Sequence, residues 1–355
     1  MMNPATIEQM AAWLKERDDF ALLGHVYPDG DAAGSCLGLC HALRALGKRA
    51  VVCLPGGIPN LYADLPGADG VFATGDALPF EVRTALAVDV SEYERLGDAG
   101  KALFDAAPQR AVIDHHSTNH GFGQLTLLDG AAASAGEIAV EVAEALGVKL
   151  SRDMATCLFV AISTDTGHFS YSNTRQETLA AASKCAAAGI DIAGITARLY
   201  RTRTQARTLL LGLVLAGLHV SEDGRMAWAF LTEAMLEQAH ALREDNEGIV
   251  NYLQEIEGVV FAVLVEERGS ETKLSMRSAP TLDVATHVAV PLGGGGHPCA
   301  AGATVNLPLE AAAQGRWSWP AGRWADRRGG SGWLYRRNTV ACRAIFNGNG
   351  AQGDL

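Results

Sequence analysis

The sequence predicts a two-domain α/β protein: an N-terminal parallel sheet with helices on both faces, then a smaller C-terminal α+β domain. Three observations carry that prediction. Short apolar runs alternate with helix-patterned segments between residues 20 and 189, the pattern of parallel strands joined by crossover helices. Three of these runs end in His or Asp, and sheets of this kind bind ligands beyond the carboxyl ends of their strands. From about residue 215 the texture changes to a hairpin, short helices and further strands.

The elements follow in order. Thr6 and Gln9 predict a capping box for a helix with Ile7, Met10, Ala11 and Leu14 on one face. Phe20–Gly24 reads as a buried strand, residues 32–46 as a helix stopped by Gly47, and Ala50–Leu54 as a second strand. Ala85–Val88 is a third, ending on Asp89, and Ala111–Ile113 a fourth, ending on Asp114-His115-His116. Residues 134–146 form a helix opened by a second capping box, Ser134 with Glu137, and stopped at Gly147. Met154–Ile162 is apolar throughout, fits helix or strand equally, and runs into Asp165. Thr174 and Glu177 open a helix that stops at Gly189.

Residues 195–210 hold four Arg and read as a connector with a solvated helix face. A hairpin turned at Asp223-Gly224 follows, then helices near 232–242 and 246–256 and strands at 258–266 and 272–277. A short helix near 283–290, the run Gly293–Gly296 before His297, and a strand near 303–306 complete the pattern. Domains are thus expected at 1–194 and 215–312, with a connector at 195–214 and an atypical tail at 313–355.

Composition narrows the function. At 355 residues, 48% hydrophobic and 19% charged, the chain can bury two cores. No apolar run reaches the roughly 18–20 residues of a membrane helix, and the N-terminus lacks the basic-then-apolar form of a signal peptide. A cytoplasmic protein with no membrane partner is expected. Seven scattered cysteines, mostly in apolar stretches, suit reduced buried thiols better than disulfides or a zinc site. The net charge is −11, but residues 313–355 carry seven Arg, no Lys and two Asp, which leaves −16 on residues 1–312. So acidic a body argues against gripping long duplex DNA. It does not exclude a small anionic substrate held through cations.

Four segments carry chemistry. His25, Asp29 and Asp31 offer an imidazole and two carboxylates within seven residues; metal ligation and turn or cap formation explain them equally well on spacing alone. Asp89 follows an apolar strand, where an unpartnered charge is expensive, so it is the candidate bridge between two ions. Its other reading is N-cap of a helix near 91–96, a place Ser91 could also fill. In Asp114-His115-His116 neighbouring side chains diverge on leaving the strand. One imidazole can bind metal and the other meet substrate, with Asp114 fixing a tautomer. Asp165 completes the set: His25, Asp29 and Asp89 on one ion; Asp31, Asp89, His115 and Asp165 on the other. Oxygen-rich donors with one imidazole per ion suit two divalent ions, Mn²⁺ before Mg²⁺. Two such ions support phosphoester hydrolysis, with a bridging water as nucleophile.

Together, His25-x-x-Pro-Asp-Gly-Asp31, the strand-end Asp89, Asp114-His-His116 and Ser163-Thr-Asp-Thr-Gly167 resemble the four N-terminal motifs of the DHH phosphoesterase superfamily. Ser275-x-Arg277-Ser278, Asp283-Val284 and residues 293–302 (GGGGHPCAAG) resemble its DHH-associated domain. The compact form is similar to the bacterial nanoRNase/pAp-phosphatase group. That resemblance implies an active site in the cleft between the domains, with Asp89, Asp114 and His116 in catalysis and His116 on the scissile phosphate. It further implies that Arg277 and His297 bind the substrate's phosphates. From the residues themselves, the run with Gly294, Gly295 and Gly296 offers backbone N–H groups to a phosphate, and Lys273, Arg277 and Ser278 offer cation and hydroxyl donors. Glycine runs are usually loops, however, and an exposed strand often carries such residues with no function. The substrates would be short RNA and small nucleotides such as adenosine 3′,5′-bisphosphate, and the group leaves room for a homodimer.

Other readings stay open: a pyrophosphatase, polyphosphatase or cyclic-dinucleotide phosphodiesterase of the same superfamily, or a non-catalytic nucleotide-binding protein. Pro291 interrupts the helix expected before the Gly run, and His168 reads as a surface residue. Residues 313–355, with four of six Trp in 17 residues, read as foreign to the fold, as from a shifted reading frame, or else as a basic aromatic tail that touches nucleic acid.

Overall fold

The computed structural model describes residues 4–309, apart from the side chain of His297. The expectations for residues 313–355 and for the His297 side chain therefore lie outside the described residues. The chain divides into two units between Thr202 and Arg203.

The first unit is a six-stranded parallel sheet in the order β3-β2-β1-β4-β5-β6. Its strands are β1 (Phe20–Leu23), β2 (Ala50–Leu54), β3 (Val71–Ala73), β4 (Thr84–Val88), β5 (Gln109–Asp114) and β6 (Leu125–Leu128). Alternate residues serve opposite faces. Phe20 and Leu22 join a core with helices α1 (Ile7–Lys15), α2 (Gly30–Ala45), α4 (Ala135–Ala145), α5 (Arg152–Asp165) and α6 (Gln176–Ala187). Ala21 and Leu23 join a second core with α3 (Gly97–Ala106) on the other face. The predicted class of sheet is therefore the one found.

The sequence reading missed β3 and β6, the two edge strands. Each has a single partner strand and too few residues to show a period, so pairing with β2 and β5 defines them. The ambiguous run Met154–Ile162 is helical, part of α5, and is capped by Ser151, whose Oγ accepts from Met154 N at 3.2 Å. It is apolar all round because α2, α4 and α6 all pack against it. The capping box of α1 is present in full. That of α4 is half formed: Ser134 accepts from Glu137 N, but the Glu137 carboxylate takes Ala133 N, Thr178 and Arg175 instead. The cap of α6 is Arg175, not Thr174. Glu92, not Ser91, stands at the cap of the short 3₁₀ turn Tyr93–Leu96. Among the described residues six cysteines are free, and no single helix is long and apolar enough to cross a membrane.

Close packing of α2 on α5 needs small residues. A Cβ at Gly30 would lie 2.5 Å from Thr164, one at Gly34 2.4 Å from Cys157 O and one at Gly38 2.3 Å from Leu158. Glycine at four-residue spacing therefore lets the start of α2 press on the end of α5, which brings Asp31 toward Asp165.

The segment after α6 contains α7 (Ile192–Thr196), a π turn at Ala197–Arg201 and α8 (Gln205–Ala216). Three of its four arginines have partners rather than a purely solvated setting. Arg198 lies 3.6 Å from Asp64, Arg203 stacks over Tyr252, and Arg207 donates to Glu247 O at 2.6 Å.

The second unit is a six-stranded sheet, β11-β12-β10-β9-β8-β7, antiparallel except for β8 with β9. Its strands are β7 (His219–Val220), β8 (Met226–Leu231), β9 (Phe261–Arg268), β10 (Glu271–Ser278), β11 (Gly295–His297) and β12 (Ala300–Val305). The hairpin at Asp223-Gly224 joins β7 to β8 as predicted. Helices α8, α9 (Glu233–Ala239) and α10 (Ile249–Gln254) cover one face. The predicted helix near 283–290 is a π turn at Ala285–Ala289, and Pro291 sits in the following 3₁₀ turn, Val290–Leu292. The glycine run is partly an edge strand rather than a loop.

Candidate active site

In the first sheet the strand order reverses between β1 and β4, the switch point where doubly wound sheets open a crevice. His25 follows β1, Asp89 follows β4, and Asp114 ends β5 with His115 and His116 behind it. Asp29 and Asp31 enter on α2, and Asp165 ends α5. The structure brings all eight together. Three sets have donor atoms within 4.8 Å of one another: His25, Asp29 and Asp89; Asp31, His115 and Asp165; and Asp89, Asp114, His115 and His116.

Asp89 is the centre. One of its oxygens lies 3.5 Å from His25 Nε2, the other 3.4 Å from His115 Nε2. Its backbone is left-handed, φ 58°, a conformation that non-glycine residues hold mostly where the surroundings demand it. Asp89 is buried, and no hydrogen bond reaches its Oδ1. A buried carboxylate oxygen left so is costly unless a cation meets it. Together with the mixed oxygen and imidazole donors, that orphaned atom fits divalent ions.

The other groups are held from behind. Asp29 caps α2, its Oδ1 accepting from Asp31 N and Ala32 N at 3.1 and 3.0 Å. It thus fills the cap role considered for Asp31 while also facing His25 at 3.7 Å. Asp31 accepts from Ala135 N (2.7 Å) and Gly136 N (2.9 Å) at the start of α4 and from Ser35 Oγ (2.8 Å). The His115 Nε2 atom faces Asp31 at 3.7 Å and Asp165 at 3.3 Å. His116 Nδ1 pairs with Asp114 Oδ1 at 2.9 Å, and Asn119 donates to Asp114 Oδ2 at 2.7 Å and to Val90 O at 3.0 Å. Sequence reasoning missed Asn119, Ser35 and Arg95, whose guanidinium lies 3.0 Å from His25 Nδ1. The only hint of Asn119 was that a buried Asp114 needs a partner.

Without metal, this crowding distorts the proton affinities. Burial opposes charge on His25, but bonds to Asp29 and Asp89 outweigh it and raise its pKa to about 10. His115 behaves likewise, burial being outweighed by Asp89, Asp31 and Asp165, and also reaches about 10. Burial, with the nearby Asp89 and Asp29, lifts Asp165 to about 7, and burial with Asp89 and Asp165 pushes Asp31 well above its usual range. The sign of the stability effect follows. Raised groups stabilise the metal-free fold fully below their unfolded values, 6.5 for the imidazoles and 3.8 for Asp165, and that contribution fades as pH climbs through about 10 and about 7. A bound cation needs the same groups deprotonated. Mn²⁺ affinity should therefore rise as pH climbs from about 6 to about 9, with a net release of protons on binding near neutral pH. Calorimetry in buffers of different ionisation enthalpy measures this; heats independent of buffer would contradict it.

In the second unit, strand parity separates the expected substrate residues. Lys273, Ser275 and Arg277 share one face of β10 and line a recess of about 370 Å³ with Arg243, Arg268, Glu244 and Glu247. Arg277 Nε donates to Asn251 at 3.1 Å. Ser278 is on the opposite, buried face, its hydroxyl directed at Leu282 O (2.6 Å) and Pro298 O (3.3 Å). The amide of Gly294 is donated to Ala289 O at 2.8 Å. A Cβ at Gly294 would lie 2.0 Å from Gly302 O, and one at Gly296 2.5 Å from Ala300 O, so packing of β11 on β12 requires those glycines. Gly295 pairs with Gly302, and the Cα register sets Arg277 and His297 on either side of Ala300.

A doubly wound sheet with clustered acids and imidazoles at its switch point defines an α/β protein whose site is suited to divalent ions. Residues 19–162 match the N-terminal domain of the DHH family and residues 229–314 the DHHA1 domain. Over 282 residues, 79% of this chain and 82% of the relative, the sequence is 35% identical to the bifunctional oligoribonuclease and PAP phosphatase NrnA of Thermus thermophilus. It is 27% identical to the Bacillus subtilis protein of that name over 81% of this chain and 90% of the relative. The crystal structure of an exopolyphosphatase-related protein from Bacteroides fragilis superposes with a TM-score of 0.78 at 27% identity, covering 84% of this chain and 90% of that one. The chain belongs to the DHH family of phosphoesterases.

Proposed function

We propose that this protein hydrolyses phosphodiester and phosphomonoester bonds of small nucleotides, converting short RNA to mononucleotides and adenosine 3′,5′-bisphosphate to AMP. The buried Asp89 carboxylate between the His25 and His115 imidazoles, its Oδ1 without a hydrogen bond, is the observation that carries the reading. The relatives named oligoribonuclease and PAP phosphatase supply the substrate class. In this reading His25, Asp29 and Asp89 hold one divalent ion and Asp31, Asp89, His115 and Asp165 a second, with Mn²⁺ the preferred metal. Bound there, such ions supply charge neutralisation at the phosphoryl oxygens and activation of water.

The chain's own groups do the rest. Asp114 fixes the Nδ1 proton of His116, which leaves Nε2 to face the scissile phosphate and exchange a proton there. Asn119 holds Asp114 in turn. Arg277 binds a substrate phosphate, with Gly295, Gly296 and His297 on β11, one strand beyond β12, as further contacts. The free cysteines fit a reducing, cytoplasmic setting.

The test is a panel with purified protein and Mn²⁺: a dinucleotide, a five-mer RNA, adenosine 3′,5′-bisphosphate, pyrophosphate, polyphosphate and a cyclic dinucleotide. Turnover concentrated on the first three is expected; turnover of pyrophosphate or the cyclic dinucleotide alone would reject the substrate class. Arg277→Ala should raise KM about tenfold or more, the worth of one charge-assisted phosphate contact. An unaltered KM would remove Arg277 from binding.

A further inference from the structure

His168 has no part in the ligand sets above, and it is not the surface residue the sequence suggests: it is half-buried and bonded on both ring nitrogens. α5 ends at Asp165, and soon after it the chain passes through three consecutive left-handed residues, Gly167 (φ 53°), His168 (54°) and Phe169 (64°). Two of them are not glycine, and such backbone persists only where its neighbours over-determine it.

Side chains hold this turn. Ser163 is fully buried two residues ahead of Asp165, with Oγ 3.0 Å from His168 Nδ1 and 3.0 Å from Tyr200 OH. Nε2 of His168 lies 3.5 Å from Thr196 Oγ1, which donates to Ile192 O at 2.8 Å. The donors close in one direction without using a proton twice: Tyr200 to Ser163, Ser163 to Nδ1, Nε2–H to Thr196, Thr196 to Ile192. His168 also packs on Tyr200, ring centroids 4.9 Å apart, and Phe169 on Phe159 at 5.8 Å. Thr196 and Tyr200 stand on α7 and the π turn that follows it, just before the boundary after Thr202. π turns of this kind recur at functional positions.

We propose that Ser163, His168 and Tyr200 are positioning residues for Asp165. They clamp the turn that ends α5, and through its backbone keep the Asp165 carboxylate 3.3 Å from His115 Nε2. The proposal rests on the reading of Asp165 as a metal ligand. None of the three touches substrate in this account.

The experiment compares Ser163→Ala, Tyr200→Phe and His168→Asn with the parent protein. Ser163→Ala severs both bonds at the hub. Tyr200→Phe removes a single hydroxyl and is the variant least able to disturb folding. His168→Asn keeps a residue that tolerates left-handed backbone and an acceptor on its side chain. Mn²⁺ affinity is read by calorimetry, the turn by amide hydrogen exchange over residues 163–171, and folding by thermal denaturation. Ser163→Ala should weaken Mn²⁺ binding by about 10–100-fold, the range for groups that orient a metal ligand. Tyr200→Phe should weaken it less, with faster exchange at residues 167–169, and His168→Asn should fall between Ser163→Ala and the parent. On a short RNA, kcat should drop while KM holds. A lowered Tm with Mn²⁺ affinity within about twofold of the parent in both Ser163→Ala and Tyr200→Phe would make the cluster purely structural and overturn the proposal. So would an Asp165→Asn variant that binds Mn²⁺ normally. Because the deciding readout is metal affinity, the proposal is decided even for a protein that cleaves none of the phosphoesters offered.

Discussion

Asp89→Asn is expected to lower Mn²⁺-dependent kcat by at least about 10³-fold, since the several kcal/mol that ions supply to a phosphoryl transition state correspond to that many decades. Asparagine is the informative substitute. Asp89 sits at φ 58°, where Asn is tolerated and Ala is strained, so the change removes charge without forcing the backbone. Metal-free Tm should move little, and Mn²⁺ should bind with fewer equivalents or far more weakly. An Asp89→Asn enzyme with near-parent turnover would break the assignment of both ion sites at once, because the two sets share this carboxylate.

His116→Ala should separate chemistry from metal binding. Its Nδ1 is engaged by Asp114, and its imidazole is more exposed than those of His25 and His115. Loss of a proton-transfer group costs about 10²–10⁴-fold in rate, so kcat should fall by that factor while Mn²⁺ affinity stays close to the parent's. His115→Ala should do the reverse and lose metal first. Equal loss of Mn²⁺ in both variants would move His116 into the ligand set, a placement its distance of 3.7 Å from Asp89 would allow. Asp114→Asn is a useful companion, since the buried Asn119 then faces an amide and the His116 tautomer is no longer dictated.

The residues with chemistry were legible because their signal is local. A strand of four or five apolar residues that ends in Asp or His declares its last residue, and that pattern named His25, Asp89 and Asp114-His115-His116. Asp31 and Asp165 were legible as residues but not as neighbours. Their approach depends on Gly30, Gly34 and Gly38 facing α5, a contact between segments more than a hundred residues apart. Asn119, Ser35 and the α4 amides left no mark in the sequence, because their importance lies in which carboxylate they meet. Ser278 shows the opposite error: beside Arg277 in the chain, it is turned to the core by strand parity.

By itself, then, the sequence determined the alternation of apolar strands and helices, the parallel sheet that follows from it, and which side chains stand at the strand ends. Periodicity and strand-end chemistry act over a few residues, so they can be read without the fold. Only the tertiary structure decided the strand order that sets β1 beside β4, and the meeting of three donor sets, two of which share Asp89. It also placed His168 against Ser163 and Tyr200. Those depend on packing between distant segments, where a glycine stripe or a buried hydroxyl takes its meaning from the surface it meets.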